Sequence, residues 1–195
     1  MTYHKENILS KKLNLTSRQR LKDLKGVLLD PLANKLANNV QWEFLNGISQ
    51  NKNDLYPIAI IGKGSPLLLI HGFDSSFLEF RRLTPLLSKH YQLLIPDLFG
   101  FGFCPRPKDA AYDTNAIIFH LNAILNQLAC GKKIGVIGAS MGGAIAMKLA
   151  RSNPKKINRL LLLSPAGLTG QPMRVPRPLD QFGVWFLKQK FVRKS

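Results

Sequence analysis

The stretch IGVIGASMGGAIAMKLA, Ile134 to Ala150, constrains this chain more than any other part of it. A short apolar run ends at a glycine-flanked serine, and an alanine-rich segment with helical spacing begins at once. Gly138-Ala139-Ser140-Met141-Gly142 matches G-x-S-x-G, and it does so after a buried strand and at the opening of a helix. The glycines leave room for a tight turn that projects Ser140 from the edge of a sheet. The helix N-terminus and the Met141 amide favour negative charge developing beside it. Two readings stand: Ser140 is a nucleophile, or it is an N-capping serine on a glycine-rich turn. A serine hydroxyl attacks poorly at neutral pH until a base takes its proton, so the nucleophile reading sends the search elsewhere in the chain for that base.

The neighbouring segments predict an α/β architecture. Gln41 to Leu45 and Leu55 to Ile61 read as strands, the second closed by the turn GKGSP, and PLLLIHGF is a continuous apolar run of the kind found in a strand buried on both faces. Ser75 to Lys89 has helical spacing, Tyr91 to Ile95 is apolar, and Asp113 to Leu128 is helical with Asp113 placed as an N-cap. Ile134 to Ile137, the helix Ser140 to Arg151 and the strand Ile157 to Leu163 complete an alternation that implies a mostly parallel sheet flanked by helices. Before it, Leu21, Leu24, Leu28, Leu32 and Leu36 repeat every three to four residues, broken at Pro31, which predicts one or two short basic helices. The organisation expected is a basic helical extension over 1–38, a core over 39–170 and a distinct segment over 171–195.

Composition narrows the class. With 45% hydrophobic and 20% charged residues and no apolar run of membrane-spanning length, the chain is not an integral helical membrane protein. Its first residues lack the continuous apolar stretch of a secretory signal, so the default location is cytoplasmic. Cys104 and Cys130 are too few for a disulfide framework and have no metal-ligand spacing, and inert, reduced thiols are expected. The net charge of +17 attracts polyanions, but it is spread as +5 over 1–38, +7 over 39–170 and +5 over 171–195. No recognition-helix, zinc-finger or RNA-binding aromatic pattern accompanies it, and specific nucleic-acid binding is not expected.

Two further motifs join the serine. His71-Gly72-Phe73 ends the run PLLLIHG, and IPDLFGFG puts Asp97, Gly100 and Gly102 in a glycine-rich loop on the same sheet edge. With the G-x-S-M-G-G turn of Gly138, Ser140, Gly142 and Gly143, the stretch from about Gln41 to Gly170 resembles the serine-nucleophile branch of the α/β-hydrolase superfamily. The resemblance implies Ser140 as nucleophile and the backbone amides of Phe73 and Met141 as the oxyanion hole. It implies His71, beside Gly72, as a loop-shaping residue and Asp97 as a structural carboxylate. Relatives with Asp in place of the serine run dehalogenase and epoxide-hydrolase chemistry, against which Ser140 argues. No metal or organic cofactor is implied.

In this superfamily the order along the chain is nucleophile, acid, histidine. Here His4, His71, His90 and His120 all precede Ser140, and the one acidic residue after it is Asp180, in an aromatic and basic stretch. The resemblance therefore implies a sequence that stops inside the cap segment, short of two strand-and-helix units of about 30 residues each that would carry the acid and the base. The function expected is a serine hydrolase acting on an apolar acyl or ester small molecule, through ester, thioester, amide or carbon–carbon cleavage, inactive or weakly active as given. Two rescues are open: His71 turning out of its loop to act as base, and a partner chain that completes the sheet along RLLLLS. A different class is also open, a non-catalytic basic remnant in peripheral contact with an anionic membrane. Leu179, Phe182, Trp185 and Phe186 share one helical face with Lys188, Lys190, Arg193 and Lys194 at its end, which suits a cap helix or a membrane-surface helix.

Overall fold

The computed structural model describes residues 17–49, 54–107 and 109–167. Six strands form one mixed sheet: β1 (Val40–Phe44), β2 (Leu55–Ile61), β3 (Ser65–Ile70), β4 (Tyr91–Pro96), β5 (Ile134–Ala139) and β6 (Ile157–Leu163). Their order across the sheet is β1-β2-β4-β3-β5-β6, antiparallel at β1/β2 and β2/β4 and parallel at β4/β3, β3/β5 and β5/β6.

Alternation along the strands divides the core into two faces. Leu68 and Ile70 of β3, Leu94 of β4 and Val136 of β5 pack on one side, under α4 (Thr114–Leu128) and α5 (Met141–Ser152). Leu67, Leu69, Leu93 and Ile137 face the other way, toward a helix over residues 17–25 (α1), α2 (Pro31–Ala37) and a 3-10 turn, Phe77–Phe80. Leu21 of α1 and Leu36 of α2 are buried in that second cluster, so the described part of the basic N-terminal stretch covers one face of the sheet. Pro31 separates the two helices by starting the second, at N1, where its missing N–H costs nothing; Asp30 caps it by accepting from the Leu32 and Ala33 amides.

Asp113 caps α4 through the Ala116 amide, as its position suggested. The single helix expected over Ser75 to Lys89 does not form. The chain instead makes the 3-10 turn, capped by Ser76, and a four-residue helix α3 (Thr84–Leu87) with Pro85 in its first turn. Proline lacks the N–H that would continue the first turn into the second, which accounts for the break.

β6 pairs with β5 alone and ends the sheet among the described residues, with Leu160, Leu161 and Leu163 exposed. No helix of the described residues is long and apolar enough to cross a membrane.

Candidate active site

Register brings the three motifs together. Ile70 of β3 lies opposite Gly138 of β5, so two residues further along each chain Gly72 meets Ser140. Leu68 pairs with Leu94 of β4 in the same direction, which carries His71 toward Asp97 and Leu98. All of these sit where the parallel strands end.

Ser140 occupies the bend between β5 and α5 at φ 51°, ψ −119°, a conformation that L side chains rarely adopt. Its backbone is tied on both sides: the Ser140 amide donates to the Leu163 carbonyl, and the Ser140 carbonyl accepts from Gly143 and Ala166. The glycines permit this by close approach. A Cβ on Gly142 would land on the backbone oxygens of Ile70 and His71, one on Gly138 would strike the Gly142 carbonyl, and one on Gly143 would meet the Pro165 ring. A Cβ on Gly72 would come within 3.3 Å of Ser140 Cβ, which measures how closely the loop after β3 is laid against the serine. Ser140 is exposed and makes no side-chain cap to its own helix. Ser140 is therefore the N-cap of α5 by position, without the side-chain bond to a first-turn amide that a capping serine makes.

His71 is fully buried and both ring nitrogens are engaged. The Leu98 amide donates to Nε2 at 2.9 Å, which leaves the proton on Nδ1, and Nδ1–H donates to the Gly72 carbonyl at 2.8 Å. The Gly72 carbonyl and the Phe73 N–H belong to one rigid peptide plane, so the same bond sets the direction of the Phe73 amide. Burial lowers the His71 pKa, partly opposed by the Gly72 carbonyl and the Glu79 charge. With Nε2 accepting from Leu98 and Nδ1 donating to Gly72, the ring in this position has no free lone pair for the proton of Ser140.

Asp97 is fully buried. Its two oxygens accept from the Phe77 amide at 2.7 Å and the Phe103 amide at 2.6 Å, lashing the loops after β3 and β4 together. Burial pushes its pKa up to about 7 against the pull of those amides and of Arg106 and Arg20. Cys104 donates its thiol to the Asp97 carbonyl at 3.2 Å, and burial raises its pKa far above the ordinary thiol value, so it is no nucleophile; Cys130 is a free, exposed thiol.

Glu79 escaped the sequence reading. On the 3-10 turn, its Oε2 accepts from the Gly72 amide at 2.8 Å and pins the peptide next to the one His71 holds. Nothing in its spacing marks it, because the contact depends on how the chain folds back after Phe77. Phe73 is 64% exposed and meets Phe101 edge-on at 5.8 Å, and Phe101 also packs on His71. Ser140 thus stands beside an aromatic rim.

The other described histidines lie elsewhere. His90 is exposed just before β4, at the opposite end of the parallel strands, and His120 is on the buried face of α4 with neither ring nitrogen hydrogen-bonded. His4 and the whole stretch 171–195, with its aromatic face and Asp180, fall outside the described residues. Among the described residues no group of His, Cys, Asp and Glu is placed to hold a metal ion.

A protein-family model described as alpha/beta hydrolase fold matches residues 65–194. The chain belongs to that family. It is 32% identical over 126 residues to 2-hydroxy-6-oxo-2,4-heptadienoate hydrolase of Pseudomonas putida, a match covering 63% of this chain and 43% of that protein. It is 41% identical over 104 residues to Lipase 1 of Psychrobacter immobilis, covering 53% and 32%. Among solved structures it resembles a putative lipase from Acinetobacter baumannii with a TM-score of 0.66 at 21% identity, covering 89% of this chain and 55% of that one, a likeness of fold. The matched portion spans less than half the length of these curated relatives.

Proposed function

We propose that Ser140 is the nucleophile of an acyl-transferring hydrolase whose oxyanion hole is the Phe73 and Met141 amides. The observation that carries this reading is the bend itself: a non-glycine residue at positive φ, exposed, at the end of β5, with Gly72 packed against its Cβ. Strain of this kind persists only where the surroundings over-determine it, and it aims the hydroxyl away from the helix it precedes. Of two relatives, one is named a 2-hydroxy-6-oxo-2,4-heptadienoate hydrolase and the other a lipase. The Phe73 and Phe101 rim supports an apolar acyl or alkyl substrate here. In this proposal His71 and Glu79 position the loop that presents the Phe73 amide, and Asp97 holds that loop to its neighbour.

The reading requires a base and an acid that this sequence does not hold beyond Ser140, Asp180 apart. Within these 195 residues Ser140 is therefore a shaped but unactivated nucleophile. Chemical rescue tests this. Fluorophosphonate labelling of the purified chain should be slow, should speed up when free imidazole supplies the missing acceptor above its own pKa, and should vanish in Ser140→Ala. Labelling that ignores imidazole, or that survives Ser140→Ala, would sink the assignment.

A further inference from the structure

We propose that the turn between α1 and α2 is a docking surface for an anionic lipid bilayer. Val27 is 70% exposed and Leu29 is 96% exposed, while Leu28 between them turns inward against the core. The turn is not slack. The Val27 and Leu28 amides donate to the Leu24 carbonyl, Asn34 Nδ2 donates to the Leu28 carbonyl at 3.2 Å, and Asp30 both caps α2 and pairs with Arg81 at 2.7 Å. Two branched apolar side chains are thus held outward on a fixed support, where solvation opposes them.

Charge says what covers them. Residues 17–38 carry five Lys or Arg against Asp23 and Asp30. Asp23 accepts from Gln19 and Asp30 is engaged by Arg81, the one ion pair among the described residues, so Lys22, Lys25 and Lys35 have no ion-pair partner there. A second copy of this chain would bring the same positive surface, on a molecule of net charge +17. The chain's own first sixteen residues add Lys5, Lys11 and Lys12 against Glu6, again the same sign. A nucleic acid would satisfy the lysines and leave Val27 and Leu29 wet. A bilayer rich in anionic headgroups offers both charge for the lysines and hydrocarbon for the two side chains. Neither Val27 nor Leu29 is among the residues assigned to the Ser140 site, and the proposal stands or falls independently of the hydrolase reading.

The test is co-sedimentation of the full chain with vesicles of phosphatidylcholine alone and of equal parts phosphatidylcholine and phosphatidylglycerol. Binding should be confined to the anionic vesicles and should weaken as salt rises. Val27→Ser/Leu29→Ser should lower affinity about tenfold by removing the inserted carbons. Lys22→Gln/Lys25→Gln should lower it by roughly tenfold or more, each lysine near such a surface counting for several-fold. Unchanged affinity in Val27→Ser/Leu29→Ser, or equal binding to neutral vesicles, overturns the proposal. So does a melting temperature that falls by several degrees in that variant, which would show the turn covered by the chain itself.

Discussion

The loops at the ends of the parallel strands and the flank between α4 and β2 each bury one histidine completely, and they treat it in opposite ways. His71 sits where three strands terminate, so backbone donors and acceptors converge on its ring and both nitrogens are satisfied. His120 sits where a helix packs on a sheet face, with the Tyr56 ring 5.1 Å away, the Phe99 ring 6.3 Å away and no hydrogen-bond partner at either nitrogen. Burial alone therefore says little about what a histidine does. Strand ends supply polar groups that a ring can organise; a helix–sheet interface supplies hydrocarbon and aromatic faces.

The sharpest way to break the comparison is to disturb the backbone on the His71 side. Gly142→Ala should destabilise the fold by more than about 4 kcal/mol, because the new Cβ collides with two backbone oxygens that cannot rotate aside. A urea midpoint close to the parent's would mean that the β3 and β5 loops are not packed as described. His71→Leu tests the ring itself. It strips partners from the buried Leu98 amide and Gly72 carbonyl and should cost about 3 kcal/mol, at roughly 1–3 for each orphaned group.

On the other flank the expected sign reverses. Burial drives the His120 pKa from 6.5 down to about 3. Between those values the unfolded chain binds a proton that the folded chain refuses, so this stability is intact above the upper value and is lost as pH falls through the window, at about 1.4 kcal/mol per pH unit. Asp97 acts with the opposite sign: its folded pKa of about 7 lies above its ordinary 3.8, so the folded chain holds that proton better and gains stability as pH falls between the two. The difference between the parent and His120→Leu cancels Asp97. His120→Leu should match or slightly exceed the parent at pH 7 and lead it by about 2–3 kcal/mol near pH 4.5. A difference that stays flat across that range would mean that His120 finds a partner.

The order of elements was legible in the sequence because most of them announce themselves locally. The two-sided burial of β3 and β5 shows as unbroken apolar runs, Asp113 caps where a helix begins, and Pro31 breaks the leucine period where one helix gives way to the next. Ser140 was legible for the same reason, since its glycines record close backbone approaches that no other residue tolerates. Contacts made at a distance left no such trace. Glu79 reaches the Gly72 amide only because the 3-10 turn folds back, and His71 and His120 read alike until their neighbours are in place. Over Ser75 to Lys89 the apolar spacing is helical throughout, but Pro85 cannot donate the backbone bond that a continuous helix needs there.

The smallest expected effect bears on how Ser140 itself is held. At φ 51°, ψ −119° a side-chain Cβ is strained by about 1–3 kcal/mol, and the surrounding hydrogen bonds to Leu163, Gly143 and Ala166 absorb that cost. Ser140→Gly relieves the strain but loosens the unfolded chain, which returns up to about 1 kcal/mol. The net should be a gain of about 1 kcal/mol in urea unfolding. Ser140→Ala keeps the Cβ and loses only a hydroxyl that is exposed and caps nothing, so it should stay within about 0.5 kcal/mol of the parent. The pair separates backbone strain from the hydroxyl. If both variants match the parent, the bend is relaxed and the serine is not held under tension. If glycine alone gains, the strain belongs to the backbone of the turn, as expected where neighbouring loops fix a residue that would otherwise relax.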